Sequence, residues 1–336
     1  MRSLSTAILL LASVSVLPAA RKNLEVLFID VEGGQATLLV APSGESMLID
    51  TGWAGFNNRD AERIAAAAKS VGVKKIDWLV VTHYHSDHVG GVPQLAAKMP
   101  IGTFVDHGAT TESGKNADVL WNAYIDFRNK GKHLEVKAGD TIPVKGLDIK
   151  VLAAAGQGIT VPLPGAGGQN PLCASFKPKA EDKSENARSV GMLITYGKFR
   201  IIDLGDLTWN KESELVCPEN RIGTIDVYLT THHGLSQSNP EVIVHALHPR
   251  VAIMNNGAKK GGSPETWQIV RKSPGLIDLW QLHYSIAGGK ENNSPDSFIA
   301  NVDDPCEGKW IKLVAQQDGT FTVTNSRNKY EKTYKP

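Results

Sequence analysis

A dense run of ionisable side chains, Thr82-His83-Tyr84-His85-Ser86-Asp87-His88-Val89-Gly90-Gly91, governs what this chain can become. It follows Ile76–Val81, an apolar run that reads as a buried strand. Three imidazoles and a carboxylate therefore leave one strand tip within six residues. Groups of this kind are costly to bury unless they are paired or hold a metal. On extended chain, residues two apart face the same side, so His83 and His85 can share one ion. Asp87 and His88 arrive as the chain turns and can face a second ion beside the first. Gly90-Gly91 is expected to let the backbone bend sharply into the next helix. Imidazole with carboxylate suits Zn2+, as one or two ions, with Mn2+ or Fe as alternatives.

The rest of the chain supplies a scaffold for such a tip. Hydrophobic residues are 41% and charged residues 21% of the 336, an ordinary globular composition rather than a disordered one. Leu24–Val31, Ala36–Ala41 and Ser46–Asp50 read as strands, and Arg59–Val71 as an Ala-rich helix with one apolar face. Val92–Lys98 and Ala117–Lys130 read as helices around the strand Thr103–Asp106. Further strands are expected over Val190–Tyr196, Phe199–Leu204, Ile225–Thr230, Val251–Asn255 and Ile277–His283, with helices over Pro240–Leu247 and Pro264–Lys272 between them. Trp310–Ala315 and Thr320–Asn325 flank a Gln-Asp-Gly hairpin turn. The segment Gly156–Asn186 is rich in Gly, Pro and charge and lacks periodicity; a loop of that length inside a domain is functional or mobile. The simplest architecture is α/β: two stacked sheets with helices outside, in one domain over residues 24–300. Residues 301–336 are expected to add a β-hairpin extension.

Residues 1–20 have the layout of a cleavable signal peptide: a basic start at Arg2, a short apolar run, then Pro18-Ala19-Ala20. The apolar run is shorter than the ~20 residues that cross a bilayer. A secreted or periplasmic location follows as an expectation. In an oxidising compartment Cys173, Cys217 and Cys306 allow one disulfide and one leftover thiol, with the pairing open. Lys+Arg is 36 against 35 for Asp+Glu, so no global charge draws the chain to nucleic acid or acidic membranes. Oligomeric state is open.

The motif at 83–88 resembles the HxHxDH signature of the metallo-β-lactamase fold hydrolases. Met47-Leu48-Ile49-Asp50-Thr51-Gly52 resembles that family's first strand motif, Ile201–Asp206 the strand ending in a metal-bridging aspartate, and Tyr228–Gly234 the strand ending in the last histidine ligand. Phe28–Ala36, Asn186–Val190, Gly205–Leu207 and His232–Gly234 are similar to the hydrolase domain of competence (ComEC-type) DNA-uptake proteins. The resemblance implies a four-layer αββα sandwich of two mixed β-sheets. It implies His83, His85 and Asp206 at one metal site, Asp87, His88, Asp206 and His232 at the second, and Asp50 as an orienting group beneath. The further histidine of many family members is absent: Asn186-Ala187-Arg188-Ser189 stands in its place, with Asn186 available to fill the gap.

Adjacent side chains on a strand point opposite ways, so His232 and His233 are not expected to serve one ion together; the resemblance implies His232 as the ligand, which leaves His233 for substrate contact or proton transfer. Asp87 and His233 are the catalytic candidates. His107 and His283 end strands, where clefts form on layered scaffolds, and with Asn186 are candidate substrate contacts. Lys259-Lys260 with Gly261-Gly262 reads as a solvated basic turn, with phosphate contact as the second reading. The expected activity is hydrolysis by water activated on the metal, acting on a small or polymeric phosphodiester or phosphoester. The alternatives are hydrolysis of a lactone, thioester or β-lactam, and a non-catalytic metal-binding module.

Overall fold

The computed structural model describes residues 22–336, so the expected leader lies outside the described residues. A nine-stranded sheet runs in the order Glu331–Tyr334, Phe321–Asn325, Ile311–Ala315, Leu24–Phe28, Thr37–Val40, Ser46–Ile49, Ile76–Val80, Ile101–Asp106, Lys132–Glu135. It is antiparallel from the C-terminal strands up to Ser46–Ile49 and parallel from there on. An eight-stranded sheet has the order Ile299–Asn301, Asp278–His283, Val251–Met254, Val227–Leu229, Phe199–Asp203, Gly191–Tyr196, Asp148–Ala154, Gln157–Gly158. Its first five strands are parallel.

Period-two alternation sorts the apolar side chains into three interiors. In Leu24–Phe28, Leu24, Val26 and Phe28 face the space between the sheets, where they meet Val151, Ile194, Phe199, Ile201 and Trp280 of the other sheet. Leu27 points the other way, to a core shared with Ile64, Ala67 and Ala68 of the helix Arg59–Ser70, Leu95 of Val92–Ala96 and Tyr124 of Lys115–Arg128. The outer face of the second sheet, with Ile202, Tyr228 and Ala252, is covered by Val242, Ile243 and Val270 from the helices Glu241–Val244 and Pro264–Arg271. Helix, sheet, sheet and helix thus form four layers, the architecture of the metallo-β-lactamase fold. Because both faces of each sheet are covered, the central strands read as continuous apolar runs.

Among the strands that escape the sequence reading are Ile299–Asn301, which is three residues long, Glu331–Tyr334, which is polar, and the two-residue strands Gln157–Gly158, Gly168–Gln169 and Glu219–Asn220. The C-terminal segment forms the expected hairpin of Ile311–Ala315 with Phe321–Asn325 and adds a third strand, Glu331–Tyr334, to it. The segment 156–186 is irregular but tethered. Gly168–Gln169 pairs with Glu219–Asn220, the Asn170 side chain donates to Val216 O and Val242 O, and a disulfide joins Cys173 to Cys217. Cys306 is the free thiol. Among the described residues, no helix is long and apolar enough to cross a membrane.

Candidate metal centre

The parallel strands of both sheets deliver their C-terminal ends to one place, as ligand sites on open α/β sheets do. Ser46–Ile49 ends in Asp50, Ile76–Val80 leads to Thr82 and His83, Phe199–Asp203 to Asp206, and Val227–Leu229 to His232 and His233. Main-chain bonds lock the ends together: Val190 N donates to Thr82 O at 2.8 Å, and His232 N to Gly205 O at 2.9 Å.

Four side chains, Asp87, His88, Asp206 and His233, bring ligand atoms within 4.8 Å of one another, and all are buried. His88 Nε2 lies 3.2 Å from both Asp206 Oδ2 and His233 Nε2, and 3.3 Å from Asp87 Oδ2. His233 Nε2 lies 3.2 Å from Asp87 Oδ2 and 3.4 Å from Asp206 Oδ1. His83 Nε2 stands at 4.0 Å and His232 Nε2 at 3.3 Å from Asp206 Oδ2. Asp50 sits behind this group. It accepts from Thr82 N at 2.8 Å and Thr82 Oγ1 at 2.6 Å, and its Oδ2 is 2.7 Å from His88 Nδ1. A carboxylate there holds the ring proton on Nδ1 and aims Nε2 at the cluster.

The donor set fits a divalent metal. His83 Nε2 and Asp206 Oδ1 are buried without a hydrogen-bond partner, and two ring nitrogens face each other between carboxylates. Orphaned lone pairs of that kind are what an ion satisfies. The electrostatics agree. Burial, and then the neighbouring charge of His88, depresses the His83 ring well below its ordinary value, leaving its lone pair free. Burial would raise the Asp206 carboxyl, but His233, His88 and His232 hold it well below the usual carboxylate range. Burial would lower His88, yet Asp206, Asp87 and Asp50 raise it well above the usual histidine value. Asp50, Asp87 and Asp206 thus surround the His88 ring with carboxylates, and a cation bound there would take the place of the ring's extra proton.

Several predicted roles are redistributed. His232 and His233 do not lie on extended chain: both have φ of 55°, in the left-handed region, and this double twist swings both rings onto Asp206. The alternation argument that assigned one ring to metal and the other to substrate does not apply, and His233 stands inside the four-residue cluster. His85 is outside it, with Nε2 3.1 Å from Glu112 Oε1, although its ring meets that of His83 edge-on with centroids 4.7 Å apart. Asn186 has a buried, unpartnered Oδ1; the residue of its stretch that reaches the cluster is Ser189, whose Oγ accepts from Asp206 N at 3.2 Å and lies 3.4 Å from His83 Nδ1. His107 is buried on Glu185, with Nε2 3.0 Å from Oε2, and His283 lies on Asp30, 2.7 Å from Oδ1; neither joins the cluster.

Lys260 is not a solvated turn residue: its ammonium contacts Asp87 Oδ2 and lies 4.9 Å over the Trp53 ring. Gly90 and Gly91 have ordinary right-handed φ of −59° and −78°, so the bend does not require their freedom. It requires their lack of a side chain, since a Cβ on Gly91 would lie 2.1 Å from Thr51 O and one on Gly90 2.6 Å from Ala54 N. Sequence reasoning missed Glu112 altogether, gave Lys260 only as a second reading, a phosphate contact, and quoted Thr82 and Ser189 within their motifs without assigning them a role.

Comparison with known proteins bears on this geometry. Residues 30–169 match the profile of the Metallo-beta-lactamase superfamily. The chain is 26% identical over 257 residues to ComE operon protein 3 of Bacillus subtilis, a match covering 72% of this chain and 29% of that protein. It is 28% identical over 145 residues to hydroxyacylglutathione hydrolase of Rhodopseudomonas palustris, covering 43% of this chain and 44% of that one. The chain therefore spans less than half the length of either relative. Among solved structures, the metallo-beta-lactamase fold protein YhfI of Bacillus subtilis aligns with a TM-score of 0.48 at 11% identity, covering 76% of this chain and 96% of that one. Residues 30–169, which carry Asp50, Asp87 and His88, thus match the metallo-beta-lactamase superfamily model, and Asp206 and His233 close the centre from the second sheet, outside the matched span.

Proposed function

We propose that this protein is an exported metal-dependent hydrolase of phosphodiester or phosphoester bonds. The observation that carries the reading is the buried convergence of Asp87, His88, Asp206 and His233. Those four would hold the metal, with His83 and His232 beside Asp206 extending the donor set toward a second ion. The chemistry a divalent ion would supply at these residues is water ionised near neutral pH and Lewis-acid polarisation of the substrate oxygen. The protein's own groups do the positioning. Asp50 fixes the His88 ring, and Ser189 holds the Asp206 backbone. Lys260, 31% exposed at its side chain, presents a cation at the edge of the centre, which favours an anionic phosphoryl group over a neutral carbonyl. The similarity to competence DNA-uptake proteins points the same way. Export is supported by the leader-like residues 1–20 and by the Cys173–Cys217 disulfide, which persists in oxidising compartments.

The similarity to hydroxyacylglutathione hydrolase favours a second reading, hydrolysis of a thioester or related carbonyl ester. A substrate panel decides between them. Chelator-stripped protein is assayed on a bis-aryl phosphodiester, an acyl thioester, a lactone and a chromogenic cephalosporin, with added zinc, manganese or iron. Metal-dependent turnover of the phosphodiester, lost in Asp206→Asn, is expected. Turnover of the thioester alone would replace the first reading by the second, and metal binding without turnover of any substrate would favour a non-catalytic module. For export, the mature chain secreted from a bacterial host should begin after Ala20; an intact amino terminus would count against it.

A further inference from the structure

A second set of ligand-type side chains lies outside the centre already described. Asp30 and Glu32 follow the strand Leu24–Phe28, His283 ends Asp278–His283, and Cys306 lies in the loop before Ile311–Ala315. One ligand atom from each of the four lies within 4.8 Å of the others. His283 Nε2 is 2.7 Å from Asp30 Oδ1, 3.7 Å from Glu32 Oε2 and 4.0 Å from Cys306 Sγ. Cys306 Sγ donates to Asp30 Oδ2 and Glu32 Oε1, each at 3.1 Å.

We propose that Asp30, Glu32, His283 and Cys306 form a second cation site, selective for a thiophilic divalent ion of the zinc class. Metal–nitrogen and metal–oxygen bonds of about 2.0–2.2 Å and a metal–sulfur bond of about 2.3 Å give tetrahedral edges of about 3.3–3.7 Å. The observed separations of 2.7 to 4.0 Å straddle that range, so small side-chain shifts close the site. Asp30 and His283 are almost wholly buried, while Glu32 and Cys306 are partly exposed, which gives a fixed floor and an accessible rim. The His283 ring has no partner at Nδ1, so its polar contacts all lie on the cluster side. Arg63 neutralises only part of the charge, with Nη1 2.8 Å from Asp30 Oδ2 and 3.2 Å from Glu32 Oε1. One guanidinium against two carboxylates leaves net negative charge for an ion to meet.

Burial, and then the charge of Asp30, pushes the Cys306 thiol up to about 12, so in the metal-free protein the sulfur keeps its proton. Ion binding breaks the S–H bond, forms the sulfur–metal bond and releases that proton to solvent. The bound ion would join three segments remote in sequence. It would also brace the turn at Gly33, against which Lys260 packs, and Gln35, whose N–H donates to Asp87 O at 3.1 Å.

The main centre contains no sulfur, and the other two cysteines are in a disulfide, so a thiolate reports this site alone. Full-length protein stripped of metal is titrated with cobalt(II) and followed by absorption. A thiolate-to-cobalt charge-transfer band in the near ultraviolet is expected. It should be absent in Cys306→Ser, a near-isosteric change at a partly exposed position, with the fold confirmed by circular dichroism. Glu32→Gln should weaken the cobalt affinity read from that band by tenfold or more. Wild-type protein with no such band, or a band that survives in Cys306→Ser, overturns the site and leaves the cluster as an ion-pair network around Arg63, whatever the main centre binds.

Discussion

Asp50 lies behind the cluster and orients both Thr82 and His88. Asp50→Asn keeps the shape but removes the charge that fixes the His88 tautomer. Metal affinity should fall roughly 10–100-fold, as for other residues that support a metal ligand from behind; metal content by elemental analysis and the competition constant against a chelator measure it. Glu212 gives a different signal. Burial pushes its carboxyl up to about 8 from an ordinary 4.5, against bonds from Asn239 N at 2.6 Å and from Tyr228. Below pH 4.5 it is protonated folded and unfolded alike; from there to about pH 8 the unfolded chain ionises while the folded one holds its proton. Stability should therefore decline across that window, and Glu212→Gln should flatten the decline in urea midpoints taken from pH 5 to 8. An unchanged slope would show that Glu212 is ionised in the folded protein. At this scale His83, Asp87 and His88 were legible from motif spacing at a strand end, and Asp206 from the resemblance of its strand. Glu112 and the role of Ser189 were not, and Lys260 was only a second reading, because each reaches the site from a separate loop and carries no spacing rule.

Among elements, the turn at 231–234 decides most. Two consecutive non-glycine residues in the left-handed region are rare, and nothing in Thr-His-His-Gly announces them. Period-two reasoning failed there for that reason and succeeded in Leu24–Phe28, where both faces are packed. The helix Arg59–Ser70 was legible from its apolar stripe, to within a residue of its end. The segment 156–186 looked featureless because its order comes from outside itself: the disulfide, Asn170, and Lys179, whose ammonium contacts Ser236 O and lies 3.7 Å over the Trp209 ring. The disulfide spans 44 residues, so loop-closure entropy assigns it about 4 kcal/mol. The Cys173→Ser, Cys217→Ser double variant should show a loss of that order in denaturant unfolding at equal metal loading. A loss below about 1 kcal/mol would mean that the noncovalent anchors already restrain the unfolded chain.

Across the whole molecule, the last three strands are not an appendage. Ile311, Leu313, Ala315, Phe321, Val323 and Tyr334 all lie in the core between the sheets, and Ile311–Ala315 pairs along all of Leu24–Phe28. Truncation after Lys309 should therefore abolish cooperative unfolding, followed by near-ultraviolet circular dichroism, rather than trim a dispensable tail. A soluble, cooperatively unfolding fragment would show that residues 24–300 fold alone. The layered plan was legible because apolar runs and helices alternate in an order few architectures accept; the pairing of the first strand with one near the carboxyl end was not, since nothing local encodes so distant a partner. The same plan leaves the wide sheet with two outermost strands, Lys132–Glu135 and Glu331–Tyr334, each four residues long and bearing both charge signs. Another copy sliding alongside would meet mismatched ions and too few free amides to zip up, so crowding at high concentration should not seed fibrils from either border.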